Sequence, residues 1–213
     1  MMKSRLSALI ALTVFTGLAC AVPTLGHAAG FKIGLDQVQL SGATYTHDTA
    51  GTKLTDSKTM VGTQLAVEFL PGEFFGFEID TAISPLERNY QLGANGATSN
   101  NVSESAGYTL YGVNLYFNRD ERRGFHPMLG VATGQISVAQ KFEGGTVGTA
   151  STHSTVDVNV VKAGFDWMTT YAGLRVQYQL WTGAKGNTTQ ITGVRQTNDF
   201  TGSALLLGVF AAF

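Results

Sequence analysis

The chain has 213 residues, with 14 basic against 15 acidic side chains, so it offers no basic surplus for a nucleic-acid partner. Only 14% of residues are charged, glycine is abundant at 26, proline scarce at 4, and the one cysteine excludes an internal disulfide. The length suits one domain.

The first element is a leader. Lys3 and Arg5 charge the N-terminus, Leu6 to Leu18 form an apolar run of about thirteen residues, and small residues lead to Gly26-His27-Ala28-Ala29. A charged start, a short apolar run and a small-residue exit predict a secretory signal peptide over 1–29, leaving 30–213 as the exported domain. The run is shorter than the roughly 20 residues of a spanning helix. Cys20 falls within it, so the exported domain has no thiol. After Ala29 no apolar run reaches helical spanning length. Any membrane-crossing structure must then be a closed barrel, because hydrocarbon supplies no partner for free backbone N–H and C=O groups.

The strands follow in order. Phe31 to about Tyr45 opens with Phe31, Ile33 and Leu35 on one face. Val61, Thr63, Leu65, Val67 and Phe69 alternate with Gly62, Gln64, Ala66 and Glu68. A turn at Leu70-Pro71-Gly72-Glu73 leads to Phe75, Phe77, Ile79, Thr81 and Ile83, alternating with Gly76, Glu78, Asp80, Ala82 and Ser84. Tyr111, Val113, Leu115 and Phe117 alternate with Leu110, Gly112, Asn114 and Tyr116. Next come Leu129 and Val131, then Ile136 and Val138, whose change of parity predicts a bulge near Gly134. Val156 and Val158 change phase to Ala163, Phe165 and Trp167, which predicts a second bulge near Val160-Val161. Leu174, Val176, Tyr178 and Leu180 face away from Arg175, Gln177 and Gln179, and the last strand runs from about Phe200 to Phe213.

This period-two pattern predicts an all-β fold: an eight-stranded antiparallel transmembrane β-barrel with up-and-down order. Three connections are short, around Pro71-Gly72, Arg119 to Arg123 and Thr169-Thr170. Four are long and polar, about 47–58, 87–105, 141–154 and 183–199, and read as exposed coil. Ten strand residues rise roughly 33 Å, which a tilt near 40° projects to about 25 Å, the height of an outer-membrane apolar band. Aromatic girdles are expected at Phe69, Phe74, Phe75, Phe117, Phe125, Trp167, Tyr171 and Phe213 on the turn side. On the loop side they are expected at Tyr45, Tyr108, Trp181 and Phe200.

The chain ends Leu205-Leu206-Leu207-Gly208-Val209-Phe210-Ala211-Ala212-Phe213, with Leu205, Leu207, Val209, Ala211 and Phe213 on one parity. This ending resembles the C-terminal strand read by the outer-membrane assembly machinery. With the eight-strand pattern, the exported domain resembles the small porin-like barrels of the OmpA, OmpX and neisserial opacity types. The resemblance implies residence in the outer membrane of a Gram-negative cell, contact with its lipid and lipopolysaccharide, and an assembly signal at Phe213. It leaves activity open, since one fold hosts several tasks.

The inward parity gathers Glu68, Glu78, Asp80, Lys162, Asp166 and Arg175 with Gln64 and Gln177, expected to form a structural network of charges inside the lumen. Eight strands leave an interior just wide enough for side chains, so no wide pore is expected. His126, beside Pro127, is expected at the membrane interface. His47, beside Asp48, and His153, beside Ser154, are expected at the outer rim, where His, Ser and Asp together could serve a hydrolase or acyltransferase. Metal binding by His47, His153 and Asp48 lacks ligand spacing, and Gly93 to Gly96 and Gly144-Gly145 lack the strand-to-helix context of a phosphate loop. Lys53, Lys58, Arg88, Lys141, Lys185 and Arg195, set against Asp48, Asp56, Glu87, Glu104, Glu143 and Asp199, are expected at the outer rim within reach of lipopolysaccharide phosphates. The expectation is a non-enzymatic surface barrel showing four polar loops to a ligand or partner, without cofactor or metal. The alternative is a lipid A-modifying enzyme at the loop-side rim. A soluble periplasmic barrel is opposed by the lipid-facing parity.

Overall fold

A computed structural model of the chain describes residues 30–49, 52–57, 59–72, 74–94, 97–117, 123–143, 150–183, 185, 189–191 and 194–213. The predicted signal segment 1–29, with Cys20, lies outside the described residues, as do 118–122 of the second short turn, Asn95-Gly96 and Gly144-Gly145.

The wall is built from β1 (Gly30–Ser41), β4 (Met60–Leu70), β5 (Phe75–Ala94), β6 (Ala97–Tyr116), β7 (Gly124–Glu143), β8 (Ala150–Met168), β9 (Ala172–Thr182) and β12 (Gly202–Ala212). These eight close into an antiparallel barrel in the order β1-β12-β9-β8-β7-β6-β5-β4. Closure joins the two ends of the domain, with Phe31 N–H donating to the Phe213 carbonyl at 3.1 Å and Phe213 N–H donating back to Phe31 at 2.9 Å.

Four further strands, β2 (Thr44–Thr49), β3 (Thr52–Ser57), β10 (Thr189–Ile191) and β11 (Val194–Asp199), form a second sheet in the order β10-β11-β2-β3. Where they are described, the long connections are thus largely strand. Residues 87–105 and 141–154 largely continue β5 with β6 and β7 with β8, while 47–58 and 183–199 carry the second sheet. The predicted first strand therefore breaks after Ser41. Gly42 sits there at φ 88°, a left-handed conformation open to glycine, and a Cβ on it would lie 3.3 Å from the Gly202 backbone. On that side of the barrel the wall stops and re-forms as the second sheet, while β5 to β8 run on unbroken.

Alternation sorts the wall as predicted. Leu35, Val61, Phe75, Phe77, Ile79, Tyr111, Leu129, Val131, Trp167, Leu174, Leu207 and Val209 are exposed on the outside in an apolar band. Water would meet that band as one large apolar patch, and hydrocarbon removes the cost. Neither predicted bulge exists: β7 keeps register with both neighbours past Gly134, and β8 keeps register with β7 past Val160-Val161. The apolar residues change parity because the lumen changes chemistry with height. Ile136, Val138, Val156, Val158 and Val160 point inward into an apolar belt with Val38, Leu40, Met60, Leu110 and Leu206. The irregularity lies in β5 instead. Its pairing shifts by two residues between Thr81 and Leu86 against β6, beside Ser84-Pro85, where proline has no N–H for the ladder.

The turn-side girdle forms, with Phe74, Phe75, Phe117, Phe125, Trp167, Tyr171 and Phe213 exposed. On the loop side, Tyr108, Trp181 and Phe200 are buried within the barrel. Their parity is inward, and the apolar belt has room for them; Tyr108 and Trp181 pack edge to face with centroids 5.2 Å apart. The side chain of Tyr45 lies outside the described residues.

Candidate functional site

Polar chemistry concentrates in the turn-side half of the lumen. All six predicted residues, Glu68, Glu78, Asp80, Lys162, Asp166 and Arg175, are buried there in one network. Arg175 occupies its middle. Its guanidinium donates to Glu78, to Asp166 at 3.1 Å and to Glu68 at 3.3 Å. Lys162 joins Glu78 at 2.7 Å and Asp80 at 2.5 Å. Gln64 donates to Asp36 at 2.9 Å and accepts from the Tyr108 hydroxyl at 2.7 Å.

Four members were not singled out in the sequence. Lys32 bridges Glu68 at 2.7 Å and Asp166 at 2.5 Å, and Asp36 lies 3.9 Å from Arg175. Asn114 donates to Glu68 at 2.8 Å and to Glu78 at 2.9 Å, and the Tyr116 hydroxyl donates to Glu68 at 2.7 Å. Parity was a sufficient signal for all four, since Lys32 and Asp36 alternate with Phe31, Ile33 and Leu35. The Phe210 ring lies within 5.3 Å of the Lys32 ammonium and 6.0 Å of the Arg175 guanidinium, which closes the network toward the short turns. Toward the outside it passes into a ladder in which Trp181 donates to Gln179 at 2.8 Å and Gln179 to Gln177 at 2.6 Å.

A second ion pair lies beyond the apolar belt. Arg88 and Glu104, expected at the outer rim, are buried inside the extended wall and paired at 2.6 Å. Arg88 also donates to the Ala43 carbonyl at 3.2 Å, and Gln140 donates to Glu104 at 2.6 Å. The rim reading fails for this pair because β5 and β6 continue as strands and carry even-numbered residues inward. Lys141 and Glu143 do stand exposed on the outer surface, paired with each other. The side chains of Lys53, Lys58, Arg195, Asp48 and Asp56 lie outside the described residues.

The histidines are dispersed. His126 is buried in the lumen, opposite Asp166 in the ladder, rather than at the interface, since its parity is that of Met128. His153 is exposed on the outer face of β8. His47 pairs with Leu54 and Gln196 in the second sheet, so the strand ladders do not join it to His153. Among the described residues, no group of three or more His, Cys, Asp or Glu is placed to hold a metal ion.

A closed eight-stranded wall, apolar outside in one band and filled inside by paired polar groups, is a small outer-membrane β-barrel, and the band with the fold puts the protein in a bacterial outer membrane. Solved structures of the same architecture include the outer membrane protein OprG of Pseudomonas aeruginosa, 13% identical over 87% of this chain and 96% of that one, with a TM-score of 0.57. The attachment invasion locus protein Ail of Yersinia pestis, solved with the heparin analogue sucrose octasulfate, is 13% identical over 87% of this chain and 99% of its own, with a TM-score of 0.50. Neisserial surface protein A is 16% identical over 86% and 97%, with a TM-score of 0.43. No protein-family model matches the sequence, and no curated protein sequence matches it.

Proposed function

We propose that the protein is a non-enzymatic surface barrel, a rigid filled scaffold that raises two β-sheets above the outer leaflet for contact with a surface ligand or with lipopolysaccharide. The observation that carries this reading is the unequal height of the wall. The apolar exterior on β7 ends at Val131, yet the strand runs on to Glu143 with an apolar and paired polar interior. Twenty strand residues at a tilt near 40° project to about 50 Å, against an apolar band of about 25 Å. The surplus is folded structure rather than loose loop, which suits presentation.

In this reading residues 1–29 are removed on export, and Phe213, at the seam where β12 closes onto β1, is the mark read by the assembly machinery. Cell fractionation with label applied to intact cells tests the display: single cysteines placed at the exposed wall positions Lys141 and His153 should be reached from outside. Mass spectrometry of lipid A from cells with and without the protein tests the enzymatic alternative. An acyl or headgroup change that depends on the protein would replace the display reading with that one.

A further inference from the structure

Above the membrane, the outward faces of β5 to β8 form a groove of about 540 Å3. The ladder fixes its floor. Glu87, Ser105, Ala139 and His153 stand in one cross-strand row, and Asn89, Ser103, Lys141 and Ser151 in the next. With strands about 4.8 Å apart and alternate residues about 7 Å apart, each row spans about 14 Å. The centre carries Ser103 and Ser105 on β6 and Ala139 on β7, with Lys141 rising beside them on β7, and Glu87, Asn89 and His153 stand on the flanking strands β5 and β8.

Height decides what lies beside this groove. The outward apolar residues end at Ile83 on β5, Tyr111 on β6, Val131 on β7 and Val161 on β8. From those ends to the row of Ala139 the strands climb about 10–20 Å at a tilt near 40°. A phospholipid headgroup layer is only about 5–8 Å deep. At the groove's level, the component of an outer leaflet still present is the oligosaccharide of its glycolipid.

The side chains match that component. Serine hydroxyls both donate and accept, the Asn89 amide does the same through two atoms, and the Glu87 carboxylate accepts from paired sugar hydroxyls. Lys141 supplies a cation for an acidic substituent. Its pairing with Glu143 is on the surface, with 61% and 55% of the two side chains exposed, and such pairs are weak and exchangeable. The small side chains of Ser103, Ser105 and Ala139 let a sugar ring approach the sheet beside Lys141.

We propose that this groove binds the core sugars of a neighbouring lipopolysaccharide molecule, fastening the extended wall in the sugar layer. The proposal rests on the reading of the protein as an outer-membrane surface barrel and names the ligand of its outer wall. The test uses the refolded full barrel in detergent and two probes, lipopolysaccharide carrying lipid A with core oligosaccharide, and lipid A alone. The wild type is expected to bind the core-bearing form at least about tenfold more tightly. Ala139→Trp, which fills the floor, should abolish the preference, and Lys141→Gln should reduce it several-fold. Both variants must fractionate to the outer membrane and keep heat-modifiable migration on gels; if Ala139→Trp does not, Lys141→Gln alone decides. Equal affinity for the two probes overturns the proposal, as does a preference that survives the variant that folds. So does a free neutral oligosaccharide that binds as tightly as the glycolipid, or a disulfide-linked dimer through Ala139→Cys, which would give the groove to a second copy. A wild-type chain absent from the outer membrane would instead sink the surface-barrel reading itself.

Discussion

Glu68 and Glu78 stand directly opposite each other on β4 and β5, both pointing into the lumen, and the Asn114 amide nitrogen reaches both, at 2.8 and 2.9 Å. Like charges in directly opposed positions destabilise a strand pair. Here the opposition is resolved from one side and from across the barrel. Lys32, beside Glu68 on the neighbouring β1, pairs with it, while Arg175 donates to both carboxylates from β9 and Lys162 pairs with Glu78 from β8. Lys32–Glu68 and Asp166–Arg175 form between neighbouring strands, but Arg175–Glu78, Arg175–Glu68 and Lys162–Glu78 join strands that are not neighbours and depend on closure of the wall.

Removing the shared cation should therefore be severe. Arg175→Met leaves Glu78, Asp166 and Glu68 short of a partner, and breaking a buried pair from one side costs roughly 3–5 kcal/mol. Adding Glu78→Gln should recover part of the loss, because contacting residues are not additive. Urea unfolding in lipid vesicles, read by gel migration, measures both. An unchanged midpoint for the single variant would show that the network carries no stability.

Gly76 gives a test by sign. Replacing a strand-interior glycine by alanine ordinarily gains about 0.5–1 kcal/mol. At Gly76 a Cβ would fall 2.0 Å from Glu68 Oε1, a carboxylate held by Lys32, Asn114, Tyr116 and Arg175. Gly76→Ala should destabilise by about 1–3 kcal/mol, the range of overpacking. A gain in the same unfolding assay would mean that Glu68 yields freely.

The two faces of β4 can be separated at neighbouring positions. Val67 points outward and Glu68 inward. Val67→Arg should cost roughly 2–4 kcal/mol on folding into bilayers, and Val67→Leu almost nothing. Glu68→Gln should also be costly, since it weakens a site shared by Lys32 and Arg175. If Val67→Arg folds as well as wild type, the faces have been exchanged.

Much of this was legible because a strand has period two: once Val67 is outward, Glu68 is inward, and the same step gives Glu78, Asp80, Lys162, Asp166 and Arg175. Composition misled where it was read as a guide to loops. Arg88 and Glu104 sit in polar stretches that read as coil, and only their pairing across β5 and β6 shows them to be interior. Ile136 and Val158 misled in the opposite way. Facing lipid, an apolar residue at either position needs a bulge to turn it outward. The lumen's outer half is apolar, and the strands pass straight through. Sequence periodicity gives orientation relative to a neighbour, but the chemistry of the space it points into depends on residues from six or seven other strands.

The filled lumen makes a prediction about conduction. An ion entering from the short-turn side meets Leu70, Tyr116, Met128 and Phe210, then the network of Arg175 and its carboxylates. Next comes the ladder of Gln177, Gln179 and Trp181, and then the apolar belt around Ile136, Val158 and Leu206. Arg88 and Glu104 close the far side. Moving an unpaired ion through the belt carries a desolvation penalty of several kcal/mol even after relaxation. The wild-type barrel in a planar bilayer should therefore show no steady conductance on the scale of a porin. Arg175→Met should stay closed as well, although less stable, because the belt is intact. Combining Ile136→Gly, Val158→Gly and Leu206→Gly should raise conductance in channels that remain folded, since only then is the dry layer breached. Steady porin-scale current through the wild type would show that these layers part on the experimental timescale, and the filled-scaffold account would fail with it.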